Sequence, residues 1–253
     1  MEYLAQELID GVIDRVPFER MRFCSLVARN WRRRSQQRHF ENIWLGNEDL
    51  TARWYTRIPQ DPEGIPSYVH SAQLSGLDHC REPGILNRIL RCFVNLRSLR
   101  LIQVELSLLS EQRNPILFGD FGMGITELLI NKPVCTYGTF VSLILSLPNL
   151  QTLVTVILEP KGTPPSTLPN NPKRILKELR IYRGEPKVAM VLSQCPLSFQ
   201  AITIKRPPPS DPPSVDLRAL LVSSSETVKK VELSGKSPLP SIYFKNLIWC
   251  WKT

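Results

Sequence analysis

The apolar side chains of the first sixteen residues recur at helical spacing. One set recurs every four residues and consists of Leu4, Leu8, Val12 and Val16. That spacing places the set on one face of a helix and leaves the acidic and amide side chains on another. Pro17 lacks a backbone N–H and disfavours helical backbone at the residue before it, so we expect the helix to end at Val16.

A second helical segment follows after a short connector. Its apolar residues are Phe23, Leu26, Val27 and Trp31, and arginines occupy the three positions after the tryptophan. A unit of about forty residues with two or three short amphipathic helices is too small to build a large core of its own. We therefore expect something other than these helices to cover part of their apolar surface.

Beyond residue 70, short strand-like segments alternate with helix-like segments, and the strand-like segments share one apolar position. Six residues occupy that position: Leu99, Leu128, Leu153, Leu179, Ile202 and Val231. Their spacing of roughly 23 to 29 residues is typical of a repeat that contributes one strand at a time. The pattern predicts parallel strands that stack side by side, with helices such as 84–93 and 139–147 covering one face of the sheet.

The N-terminal residues resemble an F-box, in the form common among fungal F-box proteins. The resemblance is carried by Leu4, Glu7, Leu8, Val12, Ile13, Val16, Pro17, Cys24, Ser25, Leu26, Val27, Trp31 and Arg32. It implies a fold of three short helices that docks onto the small Skp-type adaptor of a cullin-RING (SCF) ubiquitin ligase. The adaptor-binding residues that it implies are Leu4, Leu8, Val12, Pro17, Leu26, Val27 and Trp31.

The later repeats resemble the degenerate leucine-rich repeats that follow some F-boxes. The resemblance implies an α/β fold in which the three-helix F-box precedes an irregular leucine-rich-repeat-like solenoid with a parallel sheet. We place the F-box at 1–43, a polar and aromatic linker at 44–69, and the substrate-binding repeats at 70–253. The proline-rich stretches 159–173 and 206–214 are expected to be loops between repeats.

The composition of the chain limits the cellular compartments in which we expect it. The chain has 253 residues, is 42% hydrophobic and carries a net charge of +9. The longest apolar run, near 140–150, is too short to span a membrane, and the start Met-Glu-Tyr-Leu lacks the features of a secretory signal. The six cysteines lie far apart, so we expect free thiols in a reducing compartment, the cytoplasm or the nucleus.

Candidate catalytic and ligand sites are weakly supported. The glycine spacing in 119–124 fits no phosphate-binding loop, so we expect a flexible loop there. The only His/Cys group, His70, His79, Cys80 and Cys92, fits no tetrahedral zinc pattern. Neither a nucleophile elbow nor a carboxylate pair stands out. We therefore expect no enzymatic activity, no cofactor and no metal.

The hypothesis from the sequence is a substrate-recognition adaptor of an SCF-type ligase, with the F-box bound to the Skp-type adaptor and the repeats holding a protein substrate. One alternative is a protein-binding repeat module unconnected to ubiquitin. Another is a basic nucleic-acid-binding protein, because five arginines lie between 29 and 38 around Trp31. A third binding feature is the basic, proline-rich segment 206–212, which has the shape that SH3 domains recognise, although a stiff connector explains it as well.

Overall fold

The computed structural model describes residues 5–46, 53–54, 56, 64–76, 85–109, 119–158, 160–162, 174–182, 191–193, 195, 197–205, 220–221, 223–234 and 242–243. The chain begins with helices and continues as one sheet with helices and 3₁₀ turns between its strands. It is an α/β protein with an eight-stranded parallel sheet. The predicted loop 206–214 and most of the predicted loop 159–173 lie outside the described residues.

Three helices form the N-terminal unit. They are α1 (Gln6–Arg15), α2 (Met21–Val27) and α3 (Arg29–Phe40), and a 3₁₀ turn (Phe18–Arg20) separates the first two. The backbone at Val16 is extended, directly before Pro17, so α1 ends where the sequence predicted. Extended backbone at Ala28 separates α2 from α3.

The inner core of the helical unit is small. Its buried residues are Ile9, Ile13 and Met21, and the half-buried side chains of Val16 and Trp31 pack against them. With Cys24 and Ser35, five residues between 5 and 40 are buried, which is few for a unit of this length, as expected when a helical unit is too small to enclose a large core.

Among the described residues the sheet contains nine strands in chain order, eight of them parallel. They are β1 (Asn42–Leu45), β2 (Ser71–Ser75), β3 (Ser98–Ile102), β4 (Glu127–Asn131), β5 (Thr152–Thr155), β6 (Arg174–Tyr182), β7 (Leu197–Lys205), β8 (Lys230–Ser234) and β9 (Ile242–Tyr243). Each strand pairs with its neighbours in sequence, in parallel from β1 to β8, and the short β9 is antiparallel to β8. Parallel neighbours need crossover connections, which the intervening helices and turns supply.

The six apolar positions identified as equivalent in the sequence are partners in the sheet. Leu99 lies opposite Leu128, Leu128 opposite Leu153, and the same row continues through Leu179 and Ile202 to Val231. All six are buried in one continuous core. The predicted register is therefore confirmed.

The sheet begins earlier than the sequence analysis placed it. Ile43 lies opposite Ala72, which adds β1 to the row of buried residues directly after α3. The main-chain oxygen of Glu41 accepts hydrogen bonds from the N–H groups of His70 (2.9 Å) and Ser71 (3.0 Å). This strand crosses the boundary predicted at residue 43, because its main-chain groups find partners in β2 as soon as α3 ends. The start of the segment predicted as a linker is thus part of the sheet.

The same hydrogen-bond pattern recurs at the entry of the next strands. The carbonyl oxygens of Glu41, His70, Arg97 and Thr126 each accept two consecutive N–H groups from the start of the following strand. The residues after β2, β3 and β4 also share a left-handed backbone, with φ of 61° at Gly76, 53° at Gln103 and 51° at Lys132. The geometry of strand entry and strand exit therefore recurs along this part of the sheet.

Helices cover the inward face of the sheet. They include α4 (Ile85–Arg91) and α5 (Tyr137–Leu145), whose buried residues join the sheet core. Helix α5 begins two residues before its predicted start, because the Thr136 hydroxyl caps it by accepting from the N–H of Thr139 at 3.2 Å. The segment predicted as a flexible loop forms a 3₁₀ turn, Gly119–Gly124. Within the described ranges, no helix has the length and apolar character needed to cross a bilayer.

A candidate protein-docking surface on the N-terminal helices

Helix α1 carries two apolar stripes, and only one of them is buried. Ile9 and Ile13 face the inner core, whereas the Leu8 side chain is 60% exposed and the Val12 side chain 51%. The two stripes are offset by one residue, which rotates them by about 100° around the helix axis. The stripe of Leu8 and Val12 therefore points away from the helices that bury Ile9 and Ile13.

Helix α2 has the same division. Met21 and Cys24 are buried, whereas Phe23, Leu26 and Val27 are exposed, with Leu26 at 78%. At 100° per residue, the exposed group lies on the side of the helix opposite the buried pair. We call the five exposed side chains of the two helices the apolar helical surface: Leu8, Val12, Phe23, Leu26 and Val27.

Two of the predicted adaptor-binding residues, Pro17 and Trp31, occupy positions that help to maintain the structure of the helical unit. Pro17 is exposed and precedes the 3₁₀ turn, where its carbonyl oxygen accepts the N–H of Arg20 at 3.0 Å. Trp31 is half-buried and packs against the core of Ile9, Ile13 and Met21. Its indole therefore contributes to the packing of the three helices. Leu4, the remaining predicted residue, lies outside the described residues.

An ion pair fixes α1 against α3. The Arg34 guanidinium donates two hydrogen bonds of 2.8 Å to the two carboxylate oxygens of Asp14. These bonds lower the pKa of Asp14 below its ordinary value of 3.8. Arg38 adds hydrogen bonds from Nη1 to the carbonyl oxygens of Ile13 and Val16, which satisfies main-chain acceptors at the end of α1. These contacts on the polar side of α1 fix the orientation of the helix in which Leu8 is exposed.

A column of aromatic rings connects the helical unit to the sheet. Neighbouring rings have centroids 4.8 to 6.0 Å apart. In order, the rings belong to Phe18, His39, Phe40, Trp54 and Phe93. The last of these is fully buried in the sheet core. Ring pairs at such distances are mutually attractive, so the helical unit is held against the sheet at a defined place.

An open cavity of about 590 Å³ lies beside this junction. Its lining is polar and consists of Asp14, Arg34, Gln37, Arg38, Glu41, Ser67, Tyr68, His70 and Asn95. The Asp14 carboxylate is paired with Arg34, and Nδ1 of His70 lies 2.8 Å from the carbonyl oxygen of Tyr68. These pairings give Asp14, Arg34 and His70 structural roles at the junction.

The remaining candidate sites from the sequence are the His/Cys group, the proline-rich segment and the arginines of α3, and the structure describes only part of them. Within the described part of the chain, no group of His, Cys, Asp and Glu side chains could hold a metal ion. His79 and Cys80, from the His/Cys group considered above, and the proline-rich segment 206–212 lie outside that part. The four described cysteines, Cys24, Cys92, Cys135 and Cys195, are not joined in disulfides, in agreement with the prediction. Arg29, Arg32 and Arg33 are exposed on α3.

Most members of the apolar helical surface could be predicted from the sequence, but the contacts that leave them exposed could not. Leu8, Val12, Leu26 and Val27 were predicted adaptor-binding residues, whereas Phe23 was read only as part of the apolar face of its helix. The helical spacing could have identified Phe23, since it lies one turn before Leu26 and Val27.

Comparison with known proteins gives no family model and no curated protein that matches this chain.

Proposed function

We propose that this chain is a substrate-recognition adaptor of an SCF-type ubiquitin ligase, acting in the cytoplasm or nucleus. Its helical unit would bind a Skp-type adaptor as an F-box, and its sheet would hold a protein substrate as an irregular leucine-rich-repeat-like solenoid. The observation that carries the proposal is the apolar helical surface, in which five large side chains are 51 to 78% exposed. Four of the five, Leu8, Val12, Leu26 and Val27, are also residues that carry the F-box resemblance.

The free energy of burying apolar side chains favours a protein partner for the apolar helical surface. Fully burying a side chain of this size is worth about 1.5 to 3 kcal/mol, so leaving five of them in water gives up much of the possible stabilisation. Within each helix the exposed apolar side chains lie about one turn apart, Leu8 with Val12 and Phe23 with Leu26 and Val27. Contiguous exposed apolar side chains mark sites where another protein binds. The largest apolar groups at such sites are the usual anchors.

The repeated strand entries support the solenoid part of the proposal. Successive strands of β1–β8 are parallel and in register, and the entry hydrogen bonds and left-handed exits recur. In a repeat array each unit buries its apolar face only against its neighbours. Such an array offers an extended surface for a protein partner. The proposed role is therefore to bring a substrate close to the ligase, which raises its effective concentration there.

The test is complex formation between the full chain and a purified Skp-type adaptor on size-exclusion chromatography. We expect a complex with the unmodified chain and its loss with the double variant Leu8→Asp, Leu26→Asp, because burying a carboxylate in an apolar interface is costly. The control is Val94→Asp, which places one carboxylate at an exposed valine outside the helices. Circular dichroism confirms that each variant remains folded.

Two outcomes would overturn the proposal. The first is the absence of any complex with the unmodified chain, which would favour a binding module unconnected to ubiquitin. The second is a complex that the double variant and the control form equally well. Because Arg29, Arg32 and Arg33 are exposed on α3, nucleic acid is the competing partner for the helical unit. A gel shift that weakens steeply with salt and with charge reversal of these arginines would identify it.

A further inference from the structure

The outward face of the sheet carries one central row of side chains, one from each parallel strand. In register, the row reads Trp44, Gln73, Arg100, Leu129, Val154, Arg180, Thr203 and Glu232. Except at β5, where Val154 is itself buried, these residues alternate along their strands with the buried residues of the core, so the row lies on the face opposite the covering helices. The row differs in character between its two ends.

Charges at the C-terminal end of this face are neutralised within the chain. The bidentate bonds from Arg180 to Glu178 measure 2.8 and 2.7 Å, and the Nζ of Lys230 lies 2.6 Å from Glu232. The Lys205 ammonium lies 4.6 Å from the centroid of the Tyr182 ring. Strands β6–β8 therefore present charged groups that already have partners.

The N-terminal end presents a tryptophan that is both exposed and fixed. The Trp44 side chain is 60% exposed, yet its indole N–H donates to the hydroxyl of Ser75. Its ring also lies over Gly46, at a position where a Cβ atom would collide with it. A large ring held in one orientation before binding loses little conformational entropy when a partner covers it. Such tryptophans are the commonest energetic centres of protein interfaces.

Arg100 lies two strands from Trp44 in the same row and is exposed. It forms no ion pair or hydrogen bond with another side chain among the described residues. Its neighbours on the face, Ile102 in the same strand and Leu129 in the next, are half-buried aliphatic side chains. A guanidinium beside apolar surface recognises a carboxylate well, because neighbouring apolar groups reduce competition from water.

From this arrangement we propose that the outward face of β1–β4 binds an extended protein segment that carries an acidic side chain and an apolar one. The carboxylate would pair with Arg100, and the apolar side chain would cover Trp44. Two strand spacings separate these residues, which is about 10 Å. In an extended segment, side chains on one side recur about every 7 Å, so an acidic residue two to four positions from the apolar one would reach both. The net charge of +9 attracts an acidic partner at long range.

Recruitment of such a segment for ubiquitin transfer rests on the proposed adaptor function. Binding of the segment itself does not, because the residues involved belong to the sheet. The Leu8→Asp, Leu26→Asp variant should therefore bind the segment normally. Conversely, Arg100→Glu should still form the complex with the Skp-type adaptor. Each proposal is thus tested by variants that leave the other unaffected.

The experiment selects binders to the full chain from a displayed library of short random peptides. We expect the selected peptides to combine Asp or Glu with an aromatic or large aliphatic residue a few positions away. Dissociation constants of the best synthetic peptides are then measured by fluorescence anisotropy. Trp44→Ala and Arg100→Glu should each weaken binding by about tenfold or more.

Matched controls are available nearby. Arg97→Glu reverses an exposed charge just before β3, and Val94→Ala trims an exposed apolar side chain in the same turn. Both should leave affinity within about a factor of two, because neither lies in the central row. Failure to select any peptide, selection of basic peptides, or binding insensitive to both Trp44→Ala and Arg100→Glu would overturn the proposal. Thermal melts of the variants exclude loss of binding through unfolding.

Discussion

The side-chain amide of Asn95 donates a hydrogen bond of 2.6 Å from Nδ2 to the main-chain oxygen of Ser67. Asn149 makes the equivalent bond of 2.7 Å to the main-chain oxygen of Met123. Each asparagine directly precedes a buried leucine before a strand, and each acceptor lies in the turn before the preceding strand. The two bonds are therefore one linkage between neighbouring repeats that occurs twice.

Removing this linkage should destabilise the chain modestly and locally. Asn95→Ala and Asn149→Ala should each lower the free energy of unfolding by about 1 kcal/mol, the usual net worth of one hydrogen bond at a partly exposed site. Their effects should add, since the two bonds do not share a partner. Urea denaturation monitored by circular dichroism measures both. The control is Asn42→Ala, at an exposed asparagine that begins β1, and equal effects at Asn42 and Asn95 would contradict the prediction.

The placement of the Trp44 ring over Gly46 gives a second prediction. A Cβ at residue 46 would displace the ring and its bond to Ser75, so Gly46→Ala should cost about 1 kcal/mol in the unmodified chain. In a Trp44→Ala background that cost should disappear, because the obstructing ring is gone. A double-mutant cycle by urea denaturation isolates this coupling from the backbone effect of replacing glycine.

Gly11→Ala is the matched control for that cycle. Gly11 lies within α1, and a Cβ added there would meet no atom within 4 Å. Because alanine is the better helix former, this substitution should stabilise the chain by up to about 1 kcal/mol, with no dependence on Trp44. A Gly46→Ala cost that persists without the Trp44 ring would mean that the backbone, and not the indole, resists the substitution.

The sequence predicted the register of the sheet because the repeated phrase carries its own alignment. Each copy places a buried apolar residue at the same point of its strand, as at Leu99 and Leu128, and a shift of one residue would turn every such side chain to the other face. The same logic failed for β1. Its four residues, Asn42–Leu45, follow a helix directly and lie outside the phrase, so nothing local marked Ile43 as a partner of Ala72.

The candidate docking surface was predictable in composition but not in orientation. Helix α1 has apolar residues on two adjacent stripes, and periodicity alone does not say whether Leu8 or Ile9 faces inward. Met21 and Trp31 decide it by packing against Ile9 and Ile13, and Asp14 fixes the opposite side through Arg34. These contacts join residues 8 to 22 apart in the chain, beyond the spacing that the periodicity of a single helix encodes.

The Asp14–Arg34 pair predicts a pH dependence of stability. A carboxylate whose pKa is lowered in the folded chain stabilises it at pH values above the unfolded pKa, and this stabilisation is lost as the pH falls through the folded value. Asp14→Asn should cost up to about 1 kcal/mol at pH 7, a small value because both side chains are partly exposed. The difference between the two proteins should shrink toward zero as the pH falls well below the ordinary carboxyl value of 3.8 and the Asp14 carboxylate becomes protonated in the folded chain.

Urea denaturation at several pH values measures this difference. Glu226→Gln serves as the control, since Glu226 is an exposed carboxylate without an ion pair to any described residue. Its effect should be close to zero throughout. A cost of Asp14→Asn that is equally large at acid and neutral pH would show that the asparagine disturbs packing and that the charge of Asp14 matters little.

Two buried thiols should be chemically inert in the folded chain. Burial raises the pKa of Cys135 to about 12 and that of Cys195 to about 12, and the Sγ of Cys195 also donates to the carbonyl oxygen of Val191. Only the thiolate reacts with alkylating agents. At pH 8 the thiolate fraction would fall from about a quarter, for an ordinary thiol, to about one in ten thousand.

Pulsed alkylation with iodoacetamide at pH 8, followed by peptide mass spectrometry, measures the consequence. Cys135 and Cys195 should be modified at least about 100-fold more slowly in the native chain than in urea. Cys92 should show a smaller protection, because it is only half-buried, although burial raises its pKa too. Cys135 and Cys195 lie in the sheet core, so their protection reports on global opening. Rapid labelling of both without denaturant would therefore mean that this core opens far more often than its packing implies.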